Sequence, residues 1–468
     1  MNPRVALAGI GLASAIVVVG QINVDAQSKK GNSFRSTADR TGDPLAGGIG
    51  PDVMVWNISN YANWGVVGDI RAYSFGTVSC NIGDVELSWR DSGTFADQHP
   101  VIGANMYRLK DGKFEHIGQT WLKHGFCALD GNACGSCQSN GNCDWLGINC
   151  SDPYGASLNG NQTFLGPKYQ VNAYTGEFVW PHPHPGSGTV DGRLQVHTSD
   201  VIASQNPGAI YFAEAHYVTP DDAAAGNGYN NVSYRAVNLG SQGQITGLPG
   251  GTIMERPAIF AWQESDPTVS VKGFDIPSDG RMYIGYRVTD LGNGYWEYEY
   301  ALYNMNSDRS AHTFSIPVAA SVDIINVGFH DVDYHSGEPF VDTDWASART
   351  STEMIWQSQA FNENTNANAV RWGTLYNFRF QANSPPSLIE IDIGLFKPGS
   401  PDSVTVMAEG PESAACAADL DGDGEVSTAD LLELFAQWGT AGPADLDGDG
   451  DVNTNDILVL FANWGPCP

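Results

Sequence analysis

The sequence predicts a mainly β protein: one or two β-sandwich modules with a disulfide-rich loop insertion, followed by a small α-helical module at the carboxyl end. Three observations carry this expectation. Short runs of alternating apolar and polar residues recur through residues 53–396, separated by Gly, Asn, Asp and Pro. Residues 121–185 hold a cluster of cysteines among many Gly and Asn, with little periodicity. Residues 416–468 contain one acidic pattern twice, and each copy is followed by an apolar stripe of helical spacing.

Taken in order, the chain opens with a basic Met1-Asn-Pro-Arg4, an uncharged apolar run from Val5 to Gly20, and small residues at Val24-Asp-Ala26. Residues 1–26 therefore read as a secretory signal peptide, with an uncleaved anchor as the alternative. Residues 27–50 are polar and Gly-rich, and are expected to be disordered. No later stretch is apolar enough to cross a bilayer, so no membrane insertion is expected after cleavage. Export would put the cysteines where disulfides form. Cys80, Cys127, Cys134, Cys137, Cys143 and Cys150 lie in the body, allowing three bridges in fifteen connectivities. Cys134-Gly-Ser-Cys137 also raises zinc or redox work, but no second matched pair accompanies it.

The first module is expected over 51–245, with its insertion at 121–185. Val53–Ile58, Ile70–Phe75 and Val85–Trp89 read as strands. Asp111-Gly112 between Met106–Lys110 and Lys113–Ile117 signals a two-residue hairpin. Strands resume at Arg193–His197, Ala209–Val218 and Val232–Val237. Gly240–Gly251 reads as a module boundary or a long loop. The second module, a β-sandwich, is expected over 246–410. Its clearest strand is Trp296–Asn304, with Trp296, Tyr298, Tyr300 and Leu302 on one face and Glu297 and Glu299 on the other. Asn293-Gly294 should join it to the strand at Arg281–Tyr286. Only Thr350–Phe361 hints at a helix. One large sandwich is the alternative to two modules.

The tail, residues 416–468, reads as two calcium loops. Asp419, Asp421 and Asp423 fall at positions 1, 3 and 5 of the first, and Asp445, Asp447 and Asp449 at those of the second. Position 7 offers the backbone carbonyl of Glu425 or Asp451. Position 9 is Ser427 or Asn453, and position 12 is Asp430 or Asp456. A hard cation that takes six to eight oxygens suits this spacing, with Gly424 and Gly450 at the sharp turn. Two Ca2+ sites are therefore expected. The position-12 aspartates also sit where a helix starts, which suits the helix dipole. Leu431, Leu432, Leu434, Phe435 and Trp438 match Ile457, Leu458, Leu460, Phe461 and Trp464, and the two aromatic-rich faces are expected to pack on each other. A Cys416–Cys467 bridge would close about fifty residues, stabilising by ~4 kcal/mol on the chain-entropy model.

Loop plus exit helix, duplicated and with no helix before the loop, resembles a type I dockerin. The resemblance covers about the last fifty residues and implies a cohesin-like or cell-surface partner for an exported protein. The tail departs from the cellulosomal pattern. It has no Lys or Arg, and Thr428-Ala429 and Thr454-Asn455 lack the full hydroxyl pair that carries partner contacts in that family. The body resembles uncharacterised secreted β-rich bacterial proteins, which implies no chemistry.

The net charge is −30. Nine Asp, two Glu and no basic residue in the tail supply −11 of it. Such acidity excludes nucleic-acid binding by bulk electrostatics. Within the body, His182 and His184 alternate with prolines and would suit copper or zinc. Asp331, Asp333, Asp342 and Asp344 surround His330 and His335, while Glu255, Glu264 and Asp266 flank Trp262. A glycosidase needs two such carboxyls across a groove. No catalytic residue is assigned from sequence. The expected function is a secreted calcium-binding protein whose tail attaches a β body to an extracellular assembly, where the body binds or degrades polysaccharide. A structural or adhesive surface protein and a His-dependent metallo-oxidase are the alternatives.

Overall fold

The computed structural model describes residues 49–412, 417–421, 423 and 425–467. The expected signal peptide and most of the 27–50 segment lie outside the described residues, as do Gly424 and Cys416. The chain is mainly β, with several sheets.

Residues 53–247 build one eleven-stranded sheet. Its main path begins with Val53–Val67 against Ile70–Asn81 and ends with Val232–Leu239 against Ile245–Gly247. The two ends of the path approach each other through side chains. Ser233 Oγ donates to Val55 O at 2.7 Å, and Arg235 Nη1 donates to Ile58 O at 2.8 Å. This half is thus a curled sheet rather than two stacked ones, and it wraps Tyr73, Met106, Val196, Ala213 and Tyr217. Asp111 and Gly112 both adopt positive φ, 52° and 76°, as a tight hairpin turn with right-handed strand twist requires. Gly240–Gly251 forms the turn into Ile245–Gly247 and stays with this half.

The cysteine-rich insertion is pinned to this sheet. Cys80 bridges Cys134, and Cys137 bridges Cys150. Neighbouring Cys134 and Cys137 therefore serve separate disulfides and are not a zinc or redox pair. Cys127 and Cys143 are free thiols. Ser151–Tyr154 from the insertion pairs with Ile70–Asn81.

Residues 270–411 form two five-stranded sheets face to face. Tyr298, Tyr300, Leu302, Phe378 and Phe380 of one meet Phe314, Trp356, Ile391 and Ile393 of the other. The Phe314 and Phe378 rings stack with centroids 4.2 Å apart. Arg281–Asp290 and Trp296–Asn304 pair antiparallel, Ile284 opposite Leu302. The helix expected within Thr350–Phe361 is instead a strand, Glu353–Gln357, beside Ala311–Pro317. Met354 and Trp356 are both buried with a half-exposed residue between them, so a period of two overrides the helical reading.

The strand Trp296–Asn304 is buried on both faces. Its Glu299, Ala301 and Tyr303 side turns to the curled sheet, where Tyr107, Phe114, Phe212 and Tyr234 meet Trp262, Tyr283, Tyr303 and Leu375. At the centre lies the carboxylate of Glu214. Its Oε1 accepts from Asn105 Nδ2 (2.9 Å), Tyr107 OH (2.9 Å) and Tyr303 OH (3.1 Å), and its Oε2 accepts from the Ala258 N–H at 2.7 Å. Burial raises its pKa against these hydrogen bonds, which hold it down. Nearby, Arg379 Nη2 donates to Glu115 (3.0 Å) and to Glu299 (3.1 Å), one from each half.

Glu214→Ala would take the acceptor from the Tyr107 and Tyr303 hydroxyls and the Ala258 N–H, while Asn105 Nδ2 keeps Gly373 O at 3.0 Å. At ~1–3 kcal/mol for each stranded buried donor, several kcal/mol of stability should be lost. Urea denaturation of the full chain, with Glu214→Gln as the milder comparison, reads this directly.

Candidate functional site

Two regions gather the residues singled out by sequence: the tail loops and a cleft between the curled sheet and the sandwich.

In the tail, one carboxylate oxygen each from Asp419, Asp421 and Asp430 lie within 4.8 Å of one another, and Asp445, Asp447 and Asp456 repeat the arrangement. Positions 1, 3 and 12 of each loop thus converge. Asp423 and Asp449 are outside these clusters; each backbone N–H donates to the carboxylates at positions 1 and 3. Glu425 and Asp451 donate their N–H groups to the position-5 carboxylates at 2.9 and 3.0 Å. Ser427 and Asn453 are helix N-caps, accepting from Ala429 N (3.1 Å) and Asn455 N (2.8 Å). Asp430 and Asp456 complete capping boxes, each with Oδ2 accepting the N-cap N–H at 2.7 and 2.6 Å. These N–H bonds hold both carboxyls below the usual range against the upward push of burial. A set of converging hard carboxylate oxygens fits a calcium ion.

Each loop leads into a helix, Thr428–Ala436 and Thr454–Ala462. Leu434 and Leu460 are buried together, with Leu431 and Ile457 packed beside them. Contrary to expectation, the aromatic faces do not pack on each other. Leu432, Phe435 and Trp438 are exposed, and so are Leu458, Phe461 and Trp464. The stripe is wider than the contact two short helices make, so only its inner edge is covered.

The cleft, about 490 Å3, is the second region. Asp331, Asp333, Asp342, His330 and His335 line it from the sandwich half, and Asp69, His116, His197 and Asp200 line it from the curled sheet. His197 spans the gap: Nδ1 meets Asp69 Oδ2 at 3.0 Å and Nε2 meets Asp333 Oδ2 at 2.6 Å. Burial lowers the His197 pKa, but the two aspartates outweigh it and raise it overall. Asp331 accepts from Asn368 Nδ2 at 2.5 Å, and burial, reinforced by Asp344, Asp333 and Asp342, pushes its carboxyl up to about 7. Asp342 is also raised by burial and accepts the Tyr334 N–H at 2.8 Å. His335 is lowered to about 4 by burial. Asp344 lines a different pocket with Gln357, Glu363 and Asn368.

Other sequence candidates have structural roles. His182 stacks on His124 with centroids 4.3 Å apart, and His124 Nδ1 meets His99 Nε2 at 2.9 Å. His184 accepts the Gly186 N–H at 3.0 Å. The two rings of the His-x-His motif serve different partners, and burial keeps the His99 imidazole neutral down to about pH 4. Trp262 is fully buried and donates to Gly112 O at 3.1 Å, so it offers no stacking platform. Glu264 and Asp266 pair with Arg256 and Arg287. Sequence reasoning did not single out Asp69 or Asp200 for the cleft. Each is an ordinary polar residue at a strand or helix end, more than 120 residues from Asp331. Buried Lys168 was also not singled out. It donates to Gln119 Oε1 (3.0 Å) and Gly373 O (3.2 Å) across the joint, and burial lowers it to about 8.

No protein-family model matches the chain, and no curated protein matches it. One solved structure aligned to it is the exo-β-D-glucosaminidase CsxA, in a study of its inhibition by a glucosamine-configured castanospermine and an amino-australine analogue. The two share 11% identity; the alignment covers 71% of this chain and 25% of that one, with a TM-score of 0.15. A similarity that low carries no argument about fold or activity. Among the described residues no helix is long and apolar enough to cross a membrane. The Cys80–Cys134 and Cys137–Cys150 disulfides suit an oxidising environment.

Asp331 is a carboxyl whose folded pKa, about 7, lies above its ordinary 3.8. The folded protein therefore keeps this proton to a higher pH than the unfolded chain does. Its contribution to stability is full below the ordinary value and is lost as pH rises through about 7. Asp331→Asn should reduce the fall in Tm over that pH window, measured by thermal melts of wild type and variant side by side.

Proposed function

We propose that this chain is an exported protein whose calcium-folded tail docks a ligand-binding β body onto an extracellular assembly or cell surface. The observation that carries the reading is the duplication in the tail. Each of two loops gathers three carboxylates, and each following helix leaves a Leu-Phe-Trp face exposed. Without a cation, those carboxylates repel one another at close range. Calcium would replace repulsion with attraction and fix the start of each helix. Asp419, Asp421, Asp423, Asp430 and the Glu425 carbonyl would hold one ion, and Asp445, Asp447, Asp449, Asp456 and the Asp451 carbonyl the other. The ion supplies charge neutralisation only; the chain's own side chains supply the docking surface. Exposed aromatic and leucine side chains, matched in the two helices, suit a protein partner of the cohesin kind.

For the body, the cleft supports ligand binding over a purely adhesive role, since about 490 Å3 lies in the range of small-molecule sites. Polysaccharide is the ligand class that a dockerin-like tail most often accompanies. Glycosidic-bond hydrolysis is the reaction the carboxyls suit. Asp331 retains a proton near neutrality to give to a leaving oxygen, while Asp333 in the same cleft would activate the water that takes its place.

Calorimetric titration of the full chain with calcium should show two tail sites. Asp421→Ala and Asp447→Ala should each remove one, and the double variant should lose both; unchanged uptake in the double variant would overturn the calcium reading. Phe435→Asp with Phe461→Asp should preserve calcium uptake yet abolish capture on a cohesin-coated surface. Equal capture of this variant and wild type would refute the docking face.

A further inference from the structure

We infer that the cleft between the two halves selects ligands bearing primary ammonium groups. The inference rests on reading the cleft as a ligand site and names what that site takes. Five aspartates line it, and neither Lys nor Arg does. Three of the five have charge partners: Asp200 is paired with Arg108 at 2.9 Å, and Asp333 and Asp69 share His197. What remains, Asp342 and the surplus carboxylate of the His197 bridge, is net negative, and Asp331 adds to it only as it loses its proton near pH 7. Ordinary salt screens such a field over about 8–10 Å, a length that exceeds the separation of a ligand from the walls of a closed cleft.

A second observation points to a ligand independently of the acids. His330 lines the same cleft, and its Nε2 is buried and has no hydrogen-bond partner among the described residues. Burial lowers its pKa, despite the pull of Glu115, so the ring is neutral and offers a lone pair or one N–H. A stranded buried nitrogen is costly, and a ligand donor that reaches it would recover that cost. The wall is thus rich in acceptors: carboxylates and a neutral imidazole.

A bare divalent cation fits less well. The described carboxylates and imidazoles of the cleft do not bring three ligand atoms within 4.8 Å of one another, as those of each tail loop do. They are spread over a space of about 490 Å3, which suits an extended organic cation with several N–H donors. An ammonium group on such a ligand can sit against Asp333 or Asp342 while its other donors reach the remaining acceptors. Amino sugars and polyamines share this chemistry.

The test is calorimetric titration of the full chain with calcium in excess, so that the tail carboxylates are occupied. The ligands are a glucosamine tetramer, its fully N-acetylated counterpart, and spermine. The tetramer with free amines should bind at least tenfold more tightly than the acetylated one; Asp342→Asn should weaken it at least tenfold without changing the thermal melt, and Asp333→Asn, which also loosens the His197 bridge, should weaken it at least tenfold in protein that is still folded at the titration temperature. Stronger binding of spermine than of the amine tetramer would still support ammonium recognition and identify a polyamine as its source. Equal binding of the free and acetylated tetramers would overturn ammonium selectivity while leaving the cleft a sugar site. Binding of none of the three would defeat the cleft itself. Binding that the aspartate variants do not alter would assign the ammonium group elsewhere on this acidic chain.

Discussion

The architecture depends on a sheet that must bury both of its faces. The strands around Trp296–Asn304 carry tyrosines toward the sandwich core and a second set of aromatics toward the curled sheet. Neither face tolerates water, so the two halves of the body are not free to separate. Glu214 makes this joint specific. A carboxylate so deeply buried is costly unless its oxygens are satisfied, and its donors come from both halves. Hydrophobic area holds the layers together; this polar hub fixes how they register.

The cleft is a consequence of that joint. Strand residues His116, Gln119, Gln195 and His197 of the curled sheet line it on one side, and His330 with residues 331–342 of the sandwich half line it on the other. Their aspartates sit close enough to disturb one another. Asp331 keeps its proton near neutrality because it is half withdrawn from water among other acids. The His197 bridge ties the two walls by charge, and Lys168 ties them by hydrogen bonds deeper in the joint. The cleft's titratable groups belong to the junction rather than to either half.

The tail follows a different economy. Its buried core is little more than Leu434, Leu460 and a few small residues, far less than the body has. A module that small depends on additional ties, here the two capping boxes. The same scarcity leaves its aromatics exposed. Phe435 and Trp438 have nothing within the tail large enough to cover them, and this makes them available to something else.

The β class of the chain, the Asp111-Gly112 hairpin, the pairing of Arg281–Asp290 with Trp296–Asn304 and the convergence of acidic positions 1, 3 and 12 in both tail loops were legible in the sequence, because each depends on neighbours within a few tens of residues. The Thr350–Phe361 segment was misread for want of its partner strand, since a short apolar run reads as helix or strand until its other face is known. Only the folded chain decided that Cys134 and Cys137 part company, that His182 and His184 serve different partners, and that Asp331 and Asp69 face one space. Those pairings join residues tens to hundreds of positions apart. Long-range contacts are set by how whole faces bury against each other, and no local pattern encodes that outcome.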